Sequence, residues 1–351
     1  MYDSFQPGKI WLDTEGKRIH AHGGSVFYKD GIYYWYGENK EFTDPKKNIW
    51  HWGVRCYKSK DLYNWDDCGI IIPPNEKDDN SSLHPTACMD RPHIIHNART
   101  QKYVCWLKIM NRDGSQTETI LTADDILGPY SLVREGLKPL GMSAGDFDLA
   151  VAPDGKAYYY FERVHSETIC ADLTDDYMDV TGYYSTHFPY SGPPFVREAT
   201  AHFFRNGKHY LVTSGTTGYL PNPSEIAQGD TWHGPFRVLG DPHPYDESHT
   251  SYHSQISSVF KVAGKKDLYI ACADRWLPNE MHREYQTYAR AFESMFRPEK
   301  DAEDIQRVEE YLRTAPLEDT SIADYVWLPF RFDGEMAYLD WKDEWRISDY
   351  E

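Results

Sequence analysis

A chain of 351 residues carries 37 basic and 55 acidic side chains, a formal charge of −18, with no basic run of five. This excludes nucleic acid and anionic membrane surfaces as partners, since both need a cationic face. No apolar stretch approaches the roughly 20 residues of a membrane span, and the N-terminus MYDSFQPGKIW lacks the regions of a signal peptide. The expected location is the cytoplasm, or the periplasm or exterior for a chain whose leader has been removed.

The six cysteines, Cys56, Cys68, Cys88, Cys105, Cys170 and Cys272, form no Cys-x-x-Cys pair. They read as reduced core residues, with a Cys56–Cys68 disulfide as the alternative. The 27 Tyr and 11 Trp suit sheet packing and sugar-stacking surfaces alike.

In chain order, one unit repeats. A turn followed by a strand with an early tyrosine appears at Asp30-Gly31 with Tyr33, Thr100-Gln101 with Tyr103, and Asp154-Gly155 with Tyr158. It returns at Asn206-Gly207 with Tyr210 and, more loosely, at Gly264 with Tyr269. The tyrosines are 70, 55, 52 and 59 residues apart. Such periods, each with hairpin turn chemistry, predict an all-β, five-bladed β-propeller forming a single domain over residues 1–351. A last hairpin from Tyr325 to Trp341 either completes the final blade or leaves the ring to be closed by a strand near Ile10-Trp11-Leu12.

One segment departs from the β pattern. Residues 279–313 lack glycine, are rich in helix formers and place Tyr288, Ala291, Phe292 and Met295 at helical spacing, with Pro298 splitting two helices. This short helical insertion reads either as a surface addition or as a lid or homo-oligomer contact.

Stepping back from each tyrosine to the start of the preceding strand gives Gly23, Asp90, Asp146, Glu198 and Gln255, which lie 10, 13, 12, 12 and 14 residues earlier. Equivalent positions on innermost propeller strands converge on the axis, so these residues should ring one pocket. Clustered carboxylates suit glycoside hydrolysis: one acid stays protonated, its pKa raised by burial or by a neighbouring negative charge, and a second group activates water. Glu198 is the candidate acid and Asp146 its neighbour. Asp90 and Asp148 are candidate bases, and Gln255 can orient a water.

The stretches AHGGSVFYKDGIYYWYGENK, DRPHIIHNARTQKYVCWLK, DFDLAVAPDGKAYYYFER, REATAHFFRNGKHYLVTSGTTGYLPN, ADRW and YVWLPFRFDG resemble, in order and spacing, the catalytic module of glycoside hydrolase family 43. They are most similar to its exo-β-1,3-galactanase branch, from about Trp11 to Ile347 without the helical segment. The resemblance implies a five-bladed propeller and an inverting, exo-acting hydrolase that releases galactose from β-1,3-galactan-type oligosaccharides. It puts the general acid at Glu198, its tuning carboxylate at Asp146 and a water-assisting amide at Gln255. It implies sugar contacts at Glu38, Asp90, Thr217, Tyr219 and Trp276.

The first blade, Ala21-His22-Gly23-Gly24, carries no aspartate base, which fits that branch. Asp90 stands where a glutamate is usual, and Tyr219 where a tryptophan is common. No carbohydrate-binding module is apparent. No cofactor is expected, a structural calcium ion being the one metal that remains compatible. His20 and His22 form a His-x-His without a third ligand, so a structural or sugar-contacting role is the expectation. Other activities of the family, α-L-arabinofuranosidase or β-xylosidase, and a catalytically silent sugar-binding propeller are the alternatives.

Overall fold

The repeating turn and strand build five antiparallel blades around one axis. The computed structural model describes all 351 residues. Blade 1 spans residues 22–72, blade 2 88–137, blade 3 144–187, blade 4 198–240 and blade 5 255–339. The innermost strands are His22–Lys29, Cys88–Asn97, Ala144–Val151, Glu198–Arg205 and Gln255–Lys261. Each packs against the next around the ring.

The hairpin turns follow from the dipeptides that mark them. Asp30 and Gly31 have φ of 51° and 84°, and Asn206 and Gly207 have 51° and 79°. Both central residues are thus left-handed, the twist-matched form of a two-residue hairpin. The recurring tyrosines join blades together. Tyr33 accepts a hydrogen bond from the Ala263 amide at 2.9 Å and Tyr103 accepts one from Lys29 Nζ at 2.7 Å. Tyr269 donates to the Phe204 carbonyl at 2.9 Å. In each case the hydroxyl reaches the preceding blade.

Between the blades lie separate apolar cores. The one between blades 1 and 5 closes the ring and packs Trp35, Trp65, Trp327 and Trp345, each contributing about 1.5–3 kcal/mol on full burial. The C-terminal hairpin completes blade 5 with strands Leu328–Asp333 and Met336–Leu339. The segment at Ile10-Trp11-Leu12 adds no strand to any blade. Instead Phe5 and Trp345 exchange backbone hydrogen bonds at 2.9 and 3.1 Å and stack at 4.2 Å, clamping both termini beneath the seam.

All six cysteines are free thiols, which removes the Cys56–Cys68 bridge. Cys68 and Cys88 are half-buried, and Cys68 packs against the apolar core between blades 1 and 2. The helical insertion lies between the second and third strands of blade 5, as α1 (Tyr285–Phe296) and α2 (Ala302–Thr314), with Pro298 in the break. Asp301 caps α2 by accepting from the Asp304 amide at 2.8 Å. Asp304, itself buried, accepts from Ser294 Oγ at 2.7 Å and pairs with Arg297 at 2.9 Å, locking the two helices together. No helix is long and apolar enough to cross a membrane.

Blade 1 tests how tightly its inner strand is fitted. A Cβ on Gly24 would lie 1.8 Å from the Tyr36 carbonyl oxygen and 2.7 Å from Gly37 Cα, whereas one on Gly31 would meet nothing within 4 Å. Gly24→Ala should therefore cost about 3 kcal/mol or more in a denaturant melt, against about 1 kcal/mol for Gly31→Ala, where only the positive φ resists. Equal costs would show that the close backbone approach is not what requires glycine.

Candidate active site

Each innermost strand begins at the same end of the channel, and each carries a register irregularity within its first few residues. The shifts fall between His22 and Ser25, Asp90 and His93, Ala144 and Phe147, Glu198 and Ala201, and Ile256 and Ser258. In three of them a residue within the shift is left-handed: Gly23 itself (φ 61°), Arg91 directly after Asp90 (54°) and Ala199 directly after Glu198 (50°). A bulge bends the strand and re-aims its side chains. Arg91 and Ala199 hold this conformation without being glycine, the kind of local strain that persists only where its surroundings enforce it.

The side chains meet in one hydrogen-bonded floor. Asp146 pairs with Lys108 Nζ at 2.7 Å through one oxygen and with Arg91 Nη2 at 2.8 Å through the other. Burial alone would raise its pKa, but these two cations outweigh it and hold the carboxyl well below the usual range. Arg91 also donates to Gln255 Oε1 at 2.5 Å, and Lys108 also reaches Asp90 at 3.1 Å. Asp90 accepts from the Trp50 indole at 2.8 Å. Despite its burial Asp90 remains ionised, because Lys108 and Lys40 lower its pKa.

Glu198 stands among these groups without a cation of its own. Its one side-chain contact is from Gln255 Nε2 at 3.3 Å. Burial first, then the charges of Asp146 and Glu162, push its pKa well above the ordinary glutamate value. Glu162 is a buried carboxyl on the second strand of blade 3, raised to about 7 chiefly by burial, and it accepts from the His165 amide at 2.7 Å. Gln255 is fully committed: its oxygen accepts from Arg91 and, at 3.1 Å, from Trp276, while its amide donates to Glu198 and, at 3.0 Å, to Ser214 Oγ.

Glu38 approaches from the second strand of blade 1. A Cβ on Gly23 would lie 2.3 Å from Glu38 Oε1, so this carboxyl fills the space that a side chain at the first strand start would occupy. It pairs with buried Lys40 at 2.7 Å and accepts from the Arg91 amide at 3.1 Å. Burial and Asp90 raise its pKa to about 7 against the opposing pull of Lys40. Above the floor Trp50, Tyr219 and Trp276 make an aromatic wall, with ring centroids 5.7 Å apart for Trp50–Tyr219 and 5.1 Å for Tyr219–Trp276.

Seven of the eight residues singled out from the sequence, Glu198, Asp146, Gln255, Glu38, Asp90, Tyr219 and Trp276, thus gather at one end of the channel. Thr217 is turned inward: it donates to the Leu220 carbonyl at 2.6 Å and accepts from Asn222 at 2.7 Å, so its hydroxyl orders the loop that carries Tyr219. Asp148 lies apart from this floor, pairing with His93 at 3.0 Å and accepting from the His202 amide at 2.6 Å in a separate cavity of about 340 Å³. This removes it as a candidate base. His22 is held by Asp274 at 2.9 Å and Tyr325 at 3.2 Å. No group of three or more His, Cys, Asp or Glu is arranged to hold a metal.

The sequence reading passed over Arg91, Lys108, Lys40, Trp50 and Glu162. Arg91 had a local signal, being the neighbour of Asp90 in a motif already singled out. The others come from second strands or from a loop, where no repeat position marks them.

The sequence profile described as "Glycosyl hydrolases family 43" matches residues 19–291. Among solved structures, a β-1,3-galactosidase of that family is similar with a TM-score of 0.78 and 28% identity, over 99% of this chain and 65% of the other. An exo-β-1,3-galactanase from Clostridium thermocellum has a TM-score of 0.76 and 25% identity, over 98% and 66%. The chain therefore spans about two thirds of the length of either protein. The exo-β-1,3-galactanase of Phanerochaete chrysosporium, solved with β-1,3-galactotriose, shares the fold with a TM-score of 0.77 at 21% identity, over 99% and 68%. No protein of curated function matches the sequence.

The charge arrangement sets a pH dependence. For Glu198 to serve as an acid it must carry a proton, and activity that depends on it should fall as pH rises through its elevated folded pKa. After burial, the charge of Asp146 contributes most to that elevation. Asp146→Asn should move the alkaline limb of kcat to lower pH and reduce its height; an alkaline limb that stays in place would show that Asp146 does not set the proton affinity of Glu198.

Proposed function

Because the chain belongs to glycosyl hydrolase family 43, we propose that it is an exo-acting, inverting hydrolase that releases galactose from β-1,3-galactan-type oligosaccharides. The observation that carries this reading is Glu198, a half-buried carboxyl without a cation of its own, its proton affinity raised by its enclosure and by the neighbouring charge of Asp146, which two cations hold ionised. Similarity to a β-1,3-galactosidase at 28% identity supports the choice of sugar.

In this reading Glu198 donates its proton to the glycosidic oxygen as the bond from that oxygen to the anomeric carbon breaks. Water attacks the same carbon from the opposite face. Gln255, fixed by Arg91 and Trp276 on its oxygen, orients that water by turning to it the amide hydrogen that otherwise meets Glu198 at 3.3 Å. Glu38 takes the water's proton: its carboxyl fills the Gly23 position, and a proton affinity near neutrality suits a general base. The wall of Trp50, Tyr219 and Trp276 offers stacking surfaces for the apolar faces of the sugar.

Glu198→Gln should lower galactose release from β-1,3-galactooligosaccharides by roughly 10²–10⁴-fold with an unchanged melting temperature, and proton NMR of the wild-type reaction should show α-galactose forming first. Undiminished turnover by the variant would remove Glu198 from the mechanism, and β-galactose as first product would remove inversion. Turnover of aryl α-L-arabinofuranosides or β-D-xylosides in place of galactosides would move the enzyme to another activity of the family. Glu38→Gln should cost a comparable factor in kcat; full activity at neutral pH would leave the water's proton to another group.

A further inference from the structure

The family profile ends at residue 291, inside α1, and the chain then runs through α2 and returns to blade 5 by a loop that carries Glu318. This loop closes one side of a cavity of about 560 Å³, whose lining includes Trp50, Cys88, Arg112, Tyr219, Glu318 and Thr320. The cavity shares two walls with the catalytic cleft. Trp50 hydrogen-bonds to Asp90, and Tyr219 packs on Trp276, which donates to Gln255. Cys88 lies two residues before Asp90 on the same face of the same strand. The cavity is therefore the continuation of the cleft outward from Asp90.

Two charges of opposite sign line it without engaging the protein. Glu318 is exposed to solvent and makes no hydrogen bond or ion pair. Arg112, on the turn after the second strand of blade 2, likewise lines the cavity unpaired. A carboxylate that only accepts and a guanidinium that only donates, on the rim of a space with a tryptophan and a tyrosine in its wall, match a pyranose ring. Its hydroxyls can donate to one and accept from the other while its apolar face lies on an aromatic ring.

We propose, building on the hydrolase reading above, that this cavity is a second sugar subsite in which Glu318, supplied by the helical insertion, and Arg112 hold the leaving-group sugar of the substrate. The insertion then acts in substrate selection, favouring a saccharide over a simple leaving group beyond the bond that is cut. The subsite contributes binding and orientation, and the bond-breaking groups remain those of the floor.

The test compares kcat/KM on a disaccharide and on the aryl glycoside of the same terminal sugar, for wild type, Glu318→Gln and Arg112→Gln. Loss of one charge-assisted hydrogen bond should lower kcat/KM on the disaccharide roughly tenfold in each variant, with less than about a twofold change on the aryl glycoside, which lacks the ring hydroxyls. Equal losses on both substrates, or no loss on either, would overturn the proposal, since a merely structural role would move the two together. The readout is a ratio for whichever terminal sugar the wild type releases. An error in the galactose assignment appears separately, as wild-type turnover of another glycoside, and leaves the ratio readable.

Discussion

Asp146 between Arg91 and Lys108 is the interaction on which the site depends. A buried carboxylate is tolerated only when paired and hydrogen-bonded, and truncating one partner of such a pair costs about 3–5 kcal/mol because the other charge is stranded. Here each cation is also shared. Arg91 continues to Gln255 in blade 5, Lys108 to Asp90 in its own blade, and the Arg91 amide holds Glu38 of blade 1. The floor therefore links four blades, with Glu198 of blade 4 attached through the Gln255 amide. Four carboxyls, Asp146, Asp90, Glu38 and Glu198, face three cations, Arg91, Lys108 and Lys40. The cluster comes nearest to neutrality when one carboxyl keeps its proton, and Glu198, which has no cation, is the one whose proton affinity burial and the charges of Asp146 and Glu162 raise.

That arrangement requires backbone geometry that the residues would not choose alone. Arg91 and Ala199 sit in the left-handed region beside the first residues of their strands. For a residue with a Cβ this costs of order 1–3 kcal/mol. The propeller supplies the constraint: inner strands packed on both sides, apolar cores between blades, and tyrosine hydroxyls tying one blade to the next. The conformation of Arg91 also serves the site, because it brings its own amide within 3.1 Å of Glu38 while its guanidinium reaches Asp146.

How much of this could be read from the sequence follows from which features repeat. The blades were legible because each contains a turn dipeptide and an early tyrosine at a nearly constant interval. The ring of strand-start residues was legible for the same reason, and so were Asp90, Asp146, Glu198 and Gln255. Lys108 was not, since it projects from a second strand where neither a turn nor a period marks it, and its part is defined by two aspartates that only folding brings together. Thr217 was read as a sugar contact because it lies in a motif beside Tyr219; the structure uses its hydroxyl within the loop, a competition between local and ligand hydrogen bonds that spacing cannot resolve. Asp148 shares a strand face with Asp146, but a displacement of two residues carries it nearly 7 Å along the strand and into the company of His93.

The loop bearing Tyr219 shows how the helical insertion bears on the site. Gly218 has a φ of 59°, and the short segment from Gly215 to Asn222 contains no regular structure that would hold an aromatic ring in place. From inside, Asn222 accepts from the Gly215 amide at 2.6 Å and binds Thr217 at 2.7 Å. From outside, Tyr288 of α1 donates to the Pro221 carbonyl and packs with Leu220 and Trp276 in one apolar cluster. Held on both sides, Tyr219 loses its conformational freedom during folding, so less entropy remains to be lost when a sugar binds against it. The insertion thus rigidifies a wall built by blades 1, 4 and 5, and a rigid wall discriminates between sugars by shape in a way that an adaptable loop does not.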